Sequence, residues 1–285
     1  VLYELHVGTF TPAGTFEGVR RRLPELAELG VTAVELMPVH EFPGARGWGY
    51  DPAALFAPCR AYGRPDELRR LVDEAHRLGL GVVLDVVYNH LGPDGAYWAA
   101  AGPVLGRHRT PWGRGLNLDG PHAAGVRRTI LENARCWLEE YHLDGLRLDA
   151  TFALVDHSPE HLLAELSRAV EALPGPRRLL IAEDGRNRAD VVRPRAAGGY
   201  GLDGVWADDF HYEMRRLLTG ERQGWLQDFD GSAAGLAECI ERRWRYRGQR
   251  SARLDAPRGT PADDVPFERF VFCLQNHDQV GNRPR

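Results

Sequence analysis

The sequence predicts an α/β chain folded as a TIM (β/α)8 barrel, truncated after its seventh strand. Three observations carry this. Short apolar runs alternate with helical patterns almost throughout the 285 residues, and such alternation folds into a parallel sheet covered by helices. About seven strands over this length suit a barrel better than an open doubly wound sheet. The first strand-to-helix turn carries no GxGxxG, which argues against a dinucleotide fold.

The strand candidates are Leu2–Val7, Ala33–Pro38, Gly81–Val87, Gly145–Asp149, Leu179–Glu183, Gly204–Ala207 and Phe270–Asn276. Between the first two, Phe16, Val19, Leu23, Leu26 and Leu29 recur at helical spacing until Gly30, with Pro24 inside the pattern as a potential kink. Pro65 opens a second helix carrying Leu68, Leu71, Val72, Ala75 and Leu78 on one face and ending at Gly79. A third runs from about His122 to Tyr141, and Ser158-Pro159-Glu160 reads as the N-cap, proline and acid that start a fourth. The stretch 221–266 is too long for a plain crossover and reads as an inserted helix (Leu236, Ile240, Trp244) with a mobile loop around Gly248–Asp264. The chain opens directly on a strand without Met. It therefore reads as an excerpt, 1–285, of a longer protein whose eighth strand lies elsewhere.

A hydrophobic fraction of 43% and a charged fraction of 27% are those of an ordinary globular protein. The net charge of −4 gives no electrostatic reason to expect nucleic acid, and no apolar run is long enough to span a membrane. All 36 basic residues are Arg, so Schiff-base and P-loop lysine chemistry are excluded. Cys59, Cys136, Cys239 and Cys273 form no CxxC pair, so no metal site or cofactor is expected from them, and reduced thiols suit a cytoplasmic protein.

In Asp144-Gly145-Leu146-Arg147-Leu148-Asp149-Ala150, Arg147 and Asp149 lie two apart and project from one face of a strand whose other face is apolar. A carboxylate held beside a fixed guanidinium stays ionised and is placed to act as a nucleophile. In a barrel of this kind the C-terminal strand ends form the active face. Those ends supply Asp85 to His90, Arg147 with Asp149, Glu183-Asp184, and Gln275 to Asp278. Paired carboxylates suit glycoside hydrolysis: one attacks or stabilises the anomeric carbon and the other protonates the leaving oxygen. Asp149 is the candidate nucleophile. Glu183, after the apolar Leu179–Ala182, is the candidate acid with a raised pKa, and Asp278 is a third group orienting sugar hydroxyls. His90 and His277 are candidate hydrogen-bond donors to the sugar. Asp85 reads as a buried partner for Arg147, and Asn89 as a calcium ligand only if an acidic cluster surrounds it. His6, His40 and His211 read as satisfied polar groups or rim contacts. Trp48 and Tyr50, flanked by glycines, read as a sugar-stacking platform.

The segments DVVYNH (85–90), GLRLDA (145–150), AED (182–184) and QNHDQ (275–279) resemble the four ordered signature regions of the α-amylase superfamily of glycoside hydrolases. The resemblance implies Asp149 as nucleophile, Glu183 as general acid/base and Asp278 as transition-state stabiliser. It implies Arg147, His90 and His277 as groups that hold the nucleophile or the sugar, and Tyr50 as the stacking tyrosine. Within the superfamily, segments 3–19, 31–52, 182–187, 205–225 and 275–284 look most like the maltooligosyl trehalose trehalohydrolases. The implied substrate is then maltooligosyl trehalose or a related α-1,4-glucan. Branching enzymes share the YELHVG opening and ELMPV strand, and are the alternative; a silent binding barrel is the non-enzyme one. Pro52 departs from the family pattern, in which a glycine is expected. A retaining mechanism requires the two main carboxyls about 5–5.5 Å apart. Asp208-Asp209-Phe210 is a candidate reader of the trehalose end, with a helix N-cap as its structural alternative.

Overall fold

The computed structural model describes residues 1–279. By compactness the chain divides into two units, Val1–Ile181 and Ala182–Arg285. In the first unit, β1 (Leu2–Leu5), β2 (Ala33–Leu36), β3 (Gly81–Val86) and β4 (Gly145–Leu148) lie side by side in sequence order, each pair parallel. The chain then enters β5 (Leu179–Ala182) beside β4. Strand β4 is buried at every position and β3 at all but its first, as near-continuous apolar strands covered on both faces should be. In the second unit, β6 (Gly204–Trp206) pairs in parallel with β7 (Phe270–Val271). The predicted strands are present, most ending one to three residues early.

Strand β7 is the largest shortfall. Its continuation through Asn276 is lost because Asn276 folds into a turn, its side chain accepting from the Asp278 N–H at 2.9 Å and its own N–H donating to Gln279 Oε1. Leu274 and Gln275 are exposed on that turn.

The predicted helices form α1 (Phe16–Glu28), α2 (Pro65–Arg77), α3 (Ala123–Arg135) and α4 (Leu162–Glu171). In α1, Phe16, Val19, Leu23 and Leu26 face the core while Pro24 lies on the exposed side, where the missing ladder bond leaves no buried polar group unpaired. The third helix is not one continuous α-helix. From Cys136 to Glu140 it widens into a π turn, and both Trp137 and Leu138 are buried there. Asn133 locks that region, accepting from the Tyr88 hydroxyl (2.8 Å) and the Trp137 indole (3.1 Å) and donating to the Leu55 carbonyl (2.8 Å).

One start signal and one helix face were misplaced. Helix α4 begins at Leu162 with His161 as its cap, not at Ser158. Asp156, paired with Arg127 at 2.5 Å, accepts both the Ser158 and Leu162 N–H groups, which keeps Ser158-Pro159-Glu160 in the loop. The inserted helix in 221–266 is Ala233–Arg242, here α6, following α5 (Asp208–Thr219). Its buried face is Gly235 and Cys239; Ile240 is exposed and Trp244 lies beyond its end. Gly235 is required because a Cβ there would meet Glu213 Oε1 of α5 at 2.0 Å.

The segment read as a mobile loop is anchored. The Ser251 hydroxyl and the Arg253 N–H donate to the two oxygens of buried Asp228 at 2.5 and 3.0 Å, and the Tyr246 hydroxyl donates to the Asp228 carbonyl at 2.6 Å. No helix among the described residues is long and apolar enough to cross a membrane.

Candidate active site

Asp85 and Arg147 are register partners on β3 and β4, so the strand pairing itself brings the acid to the guanidinium. Both are buried. Arg147 Nη1 donates to Asp85 at 2.9 and 2.8 Å and to Asp149 Oδ1 at 2.8 Å. A buried cation flanked by two carboxylates offsets its desolvation only with such close pairing. Asp85 is thus the structural partner that the strand pattern predicted.

The second oxygen of Asp149 is held from another direction. Asn89 Nδ2 donates to Asp149 Oδ2 at 2.6 Å and to the Asp149 carbonyl at 2.8 Å. Asn89 therefore orients the candidate nucleophile, and the calcium reading has no support from its contacts. His90 lies beside it, its Nδ1 against Asn89 Oδ1 and its Nε2 donating to the Tyr50 carbonyl at 2.8 Å. The Tyr50 hydroxyl donates to Asp85 Oδ2 at 2.5 Å, and burial together with the Asp85 charge pushes the phenol well above its ordinary pKa, so it remains a donor. Directly after Asp149 the chain turns through Ala150 at φ 41°, a left-handed conformation that costs a non-glycine residue about 1–2 kcal/mol.

This first-unit cluster therefore gathers Tyr50, His90, Arg147 and Asp149, four of the seven predicted site residues, with Asp85 and Asn89 behind them. Trp48 stands exposed. Trp112, not singled out in the sequence, is half exposed and stacks on His90 with ring centres 5.0 Å apart and planes at 16°. Buried His40 has its pKa pushed down to about 4 by desolvation, which keeps it neutral. His6 is a satisfied polar group, bonded to the Gly47 carbonyl at 2.9 Å and to the Tyr62 hydroxyl at 2.8 Å.

In the second unit, Glu183 follows the last residue of β5 and is half-buried. Its neighbour Asp184 is fully buried and gripped by both arms of Arg186, at 2.8 and 2.5 Å. His277 is buried, tilted against Trp206 at 6.3 Å, and its Nε2 lies 3.6 Å from Asp278 Oδ1, while Asp278 itself is exposed. Residues 280–284 of the segment 275–284 lie outside the described residues.

Asp209 is held by partners within its own unit. It is fully buried, pairs with Arg258 at 2.7 Å, and accepts from Asn187 Nδ2 (2.8 Å) and from the Arg245 and Tyr246 N–H groups (2.9 and 3.0 Å). Arg258 in turn donates to the Gly185 carbonyl at 3.0 Å. Asp209, Arg258 and Asn187 together fix the turn that follows Glu183. Asp208 opens α5 and lies 3.4 Å from His211.

The sequence profile described as "Alpha amylase, catalytic domain" matches residues 6–104. A malto-oligosyltrehalose trehalohydrolase of Deinococcus radiodurans is 51% identical over 288 residues, covering 100% of this chain and 46% of that protein. A 1,4-alpha-glucan branching enzyme of Corynebacterium efficiens is 34% identical, covering 72% of this chain and 32% of that protein. Among solved structures, a putative alpha amylase from Salmonella typhimurium superposes with a TM-score of 0.92 at 44% identity, covering 99% of this chain and 49% of that one. The chain spans about half the length of the curated trehalohydrolases that it matches. With its seven strands, its ordered acids and these relatives, the chain belongs to the α-amylase family and has that family's α/β-barrel fold.

Proposed function

We propose that this chain is catalytic barrel from a retaining glycoside hydrolase that cleaves the α-1,4 bond next to the terminal trehalose of maltooligosyl trehalose. Trehalose and a shorter maltooligosaccharide would be released, a step of trehalose biosynthesis. The observation that carries the reading is Asp149 held on both oxygens, by Arg147 at 2.8 Å and Asn89 at 2.6 Å, in a chain 51% identical to a malto-oligosyltrehalose trehalohydrolase.

Asp149 attacks the anomeric carbon as the glycosidic C–O bond breaks, and Glu183 gives its proton to the departing oxygen. Glu183 then takes a proton from water, and the hydroxide so formed displaces Asp149 from the sugar. Asp278 stabilises the oxocarbenium-like transition state; Tyr50, His90, Arg147 and His277 position the nucleophile and the sugar. Among the described residues the four cysteines form no disulfide, and two of them are buried, which suits a cytoplasmic setting.

The branching-enzyme alternative uses the same acids but passes the sugar to a hydroxyl instead of water. Incubating the full-length protein with maltooligosyl trehalose and, separately, with amylose distinguishes the readings. Free trehalose is the expected product. New α-1,6 branches from amylose would assign the chain to the branching class, and no turnover of either substrate would favour a silent barrel.

A further inference from the structure

We propose that His108, Asp119 and His157 form a binding site for a divalent first-row transition ion, with zinc as its probe. The three residues come from separate segments of the first unit. His108 lies on the outer strand Leu105–Thr110 of a hairpin, Asp119 in the loop before α3, and His157 in the loop after β4. One ligand atom from each lies within 4.8 Å of the other two. His108 Nε2 is 3.0 Å from Asp119 Oδ2, and the two imidazole rings meet edge to face with centres 5.2 Å apart.

Two imidazoles and a carboxylate are a zinc-type donor set, whereas calcium and magnesium select oxygen donors. Tetrahedral coordination at about 2.0–2.1 Å requires donors roughly 3.3 Å apart. The His108–Asp119 pair is already closer than that, and exposed His157 can rotate to complete the set. Asp119 is the fixed member: its side chain is 4% exposed, and His108 Nε2 lies 3.0 Å from its Oδ2. The competing cation is Arg107, 3.4 Å from Asp119 Oδ2, but its side chain is 72% exposed and free to swing into water. Three protein ligands leave a fourth position for water. An ion here would clamp the hairpin that turns at Trp112 to the loop that follows Phe152 and Ala153.

The test uses the full-length protein stripped with EDTA and titrated calorimetrically with zinc chloride. The proposal expects one equivalent bound and at least tenfold weaker binding in both His157→Gln and His108→Gln. His157 is exposed, so its variant leaves folding intact. Cobalt(II) in place of zinc should give visible d–d absorption that is lost in the same variants. Absence of stoichiometric zinc binding, or equal affinity in His157→Gln and the parent, would overturn the site and leave any bound ion adventitious.

Discussion

Asp149 owes its orientation to two donors that reach it by different routes. Arg147 is two residues away on the same strand, so its approach was legible in the alternation of GLRLDA. Asn89 is 60 residues away, and its 2.6 Å bond follows from β3 and β4 being neighbours. The two differ in expected effect. In the full-length protein Asp149→Asn removes the nucleophile and should lower kcat by about 10³-fold or more while substrate binding is largely kept. Asn89→Ala leaves the nucleophile but frees one oxygen, and should lower kcat by about 10–100-fold with KM nearly unchanged. Steady-state kinetics with trehalose release as readout checks both. Normal turnover by Asp149→Asn would refute its role. Trp112 carried no periodic signal in the sequence; only the stacking on His90 singles it out.

At the scale of elements, apolar periodicity was a good guide where a helix packs one plain face and a poor one where polar groups decide. Helices α1 and α2 obey it, except that Leu29, read as part of the first pattern, caps α1 and is exposed. Helix α4 starts late because the Asp156–Arg127 pair captures the N–H groups ahead of it, and α6 buries Gly235 and Cys239 because α5 approaches too closely for larger side chains. The hairpin Arg250–Ser251 with Ala256–Pro257 shows the same dependence on backbone approach. Gly259 sits at φ 81°, where a Cβ would come within 1.8 Å of the Tyr246 carbonyl oxygen, whereas a Cβ on Gly248 at φ 121° meets nothing within 4 Å. Gly259→Ala should therefore destabilise by about 2 kcal/mol or more, and Gly248→Ala by about 1 kcal/mol. Urea unfolding of the two variants checks the difference; equal costs would mean that conformational strain alone, not the carbonyl contact, sets the penalty.

For the molecule as a whole, His40 links stability to acid. Its pKa falls from 6.5 to about 4 on burial, so the unfolded chain binds the proton first as pH drops. Stability from this group is complete above pH 6.5 and is lost as pH falls through 4, a loss of about 3 kcal/mol at most. His40→Gln, which cannot titrate, should show a correspondingly flatter fall in unfolding free energy across that window. Parallel pH profiles for parent and variant would remove His40 from the acid response.

The class of fold and the order of its strands were determined by the sequence alone, and the sequence nominated the candidate acids, because each rests on local information: the period of apolar residues, the punctuation by glycine and proline, and short ordered segments such as DVVYNH and GLRLDA. Tertiary structure decided the rest. Asn89 secures Asp149, buried Asp209 braces the turn after Glu183, and the Arg-rich stretch after Gly248 is tied down by Asp228 and Arg258. Each of these depends on a polar group finding a partner at least 20 residues away in the chain. Spacing along a sequence does not record such meetings, since hydrogen-bond and ion-pair geometry is set only when separate elements pack.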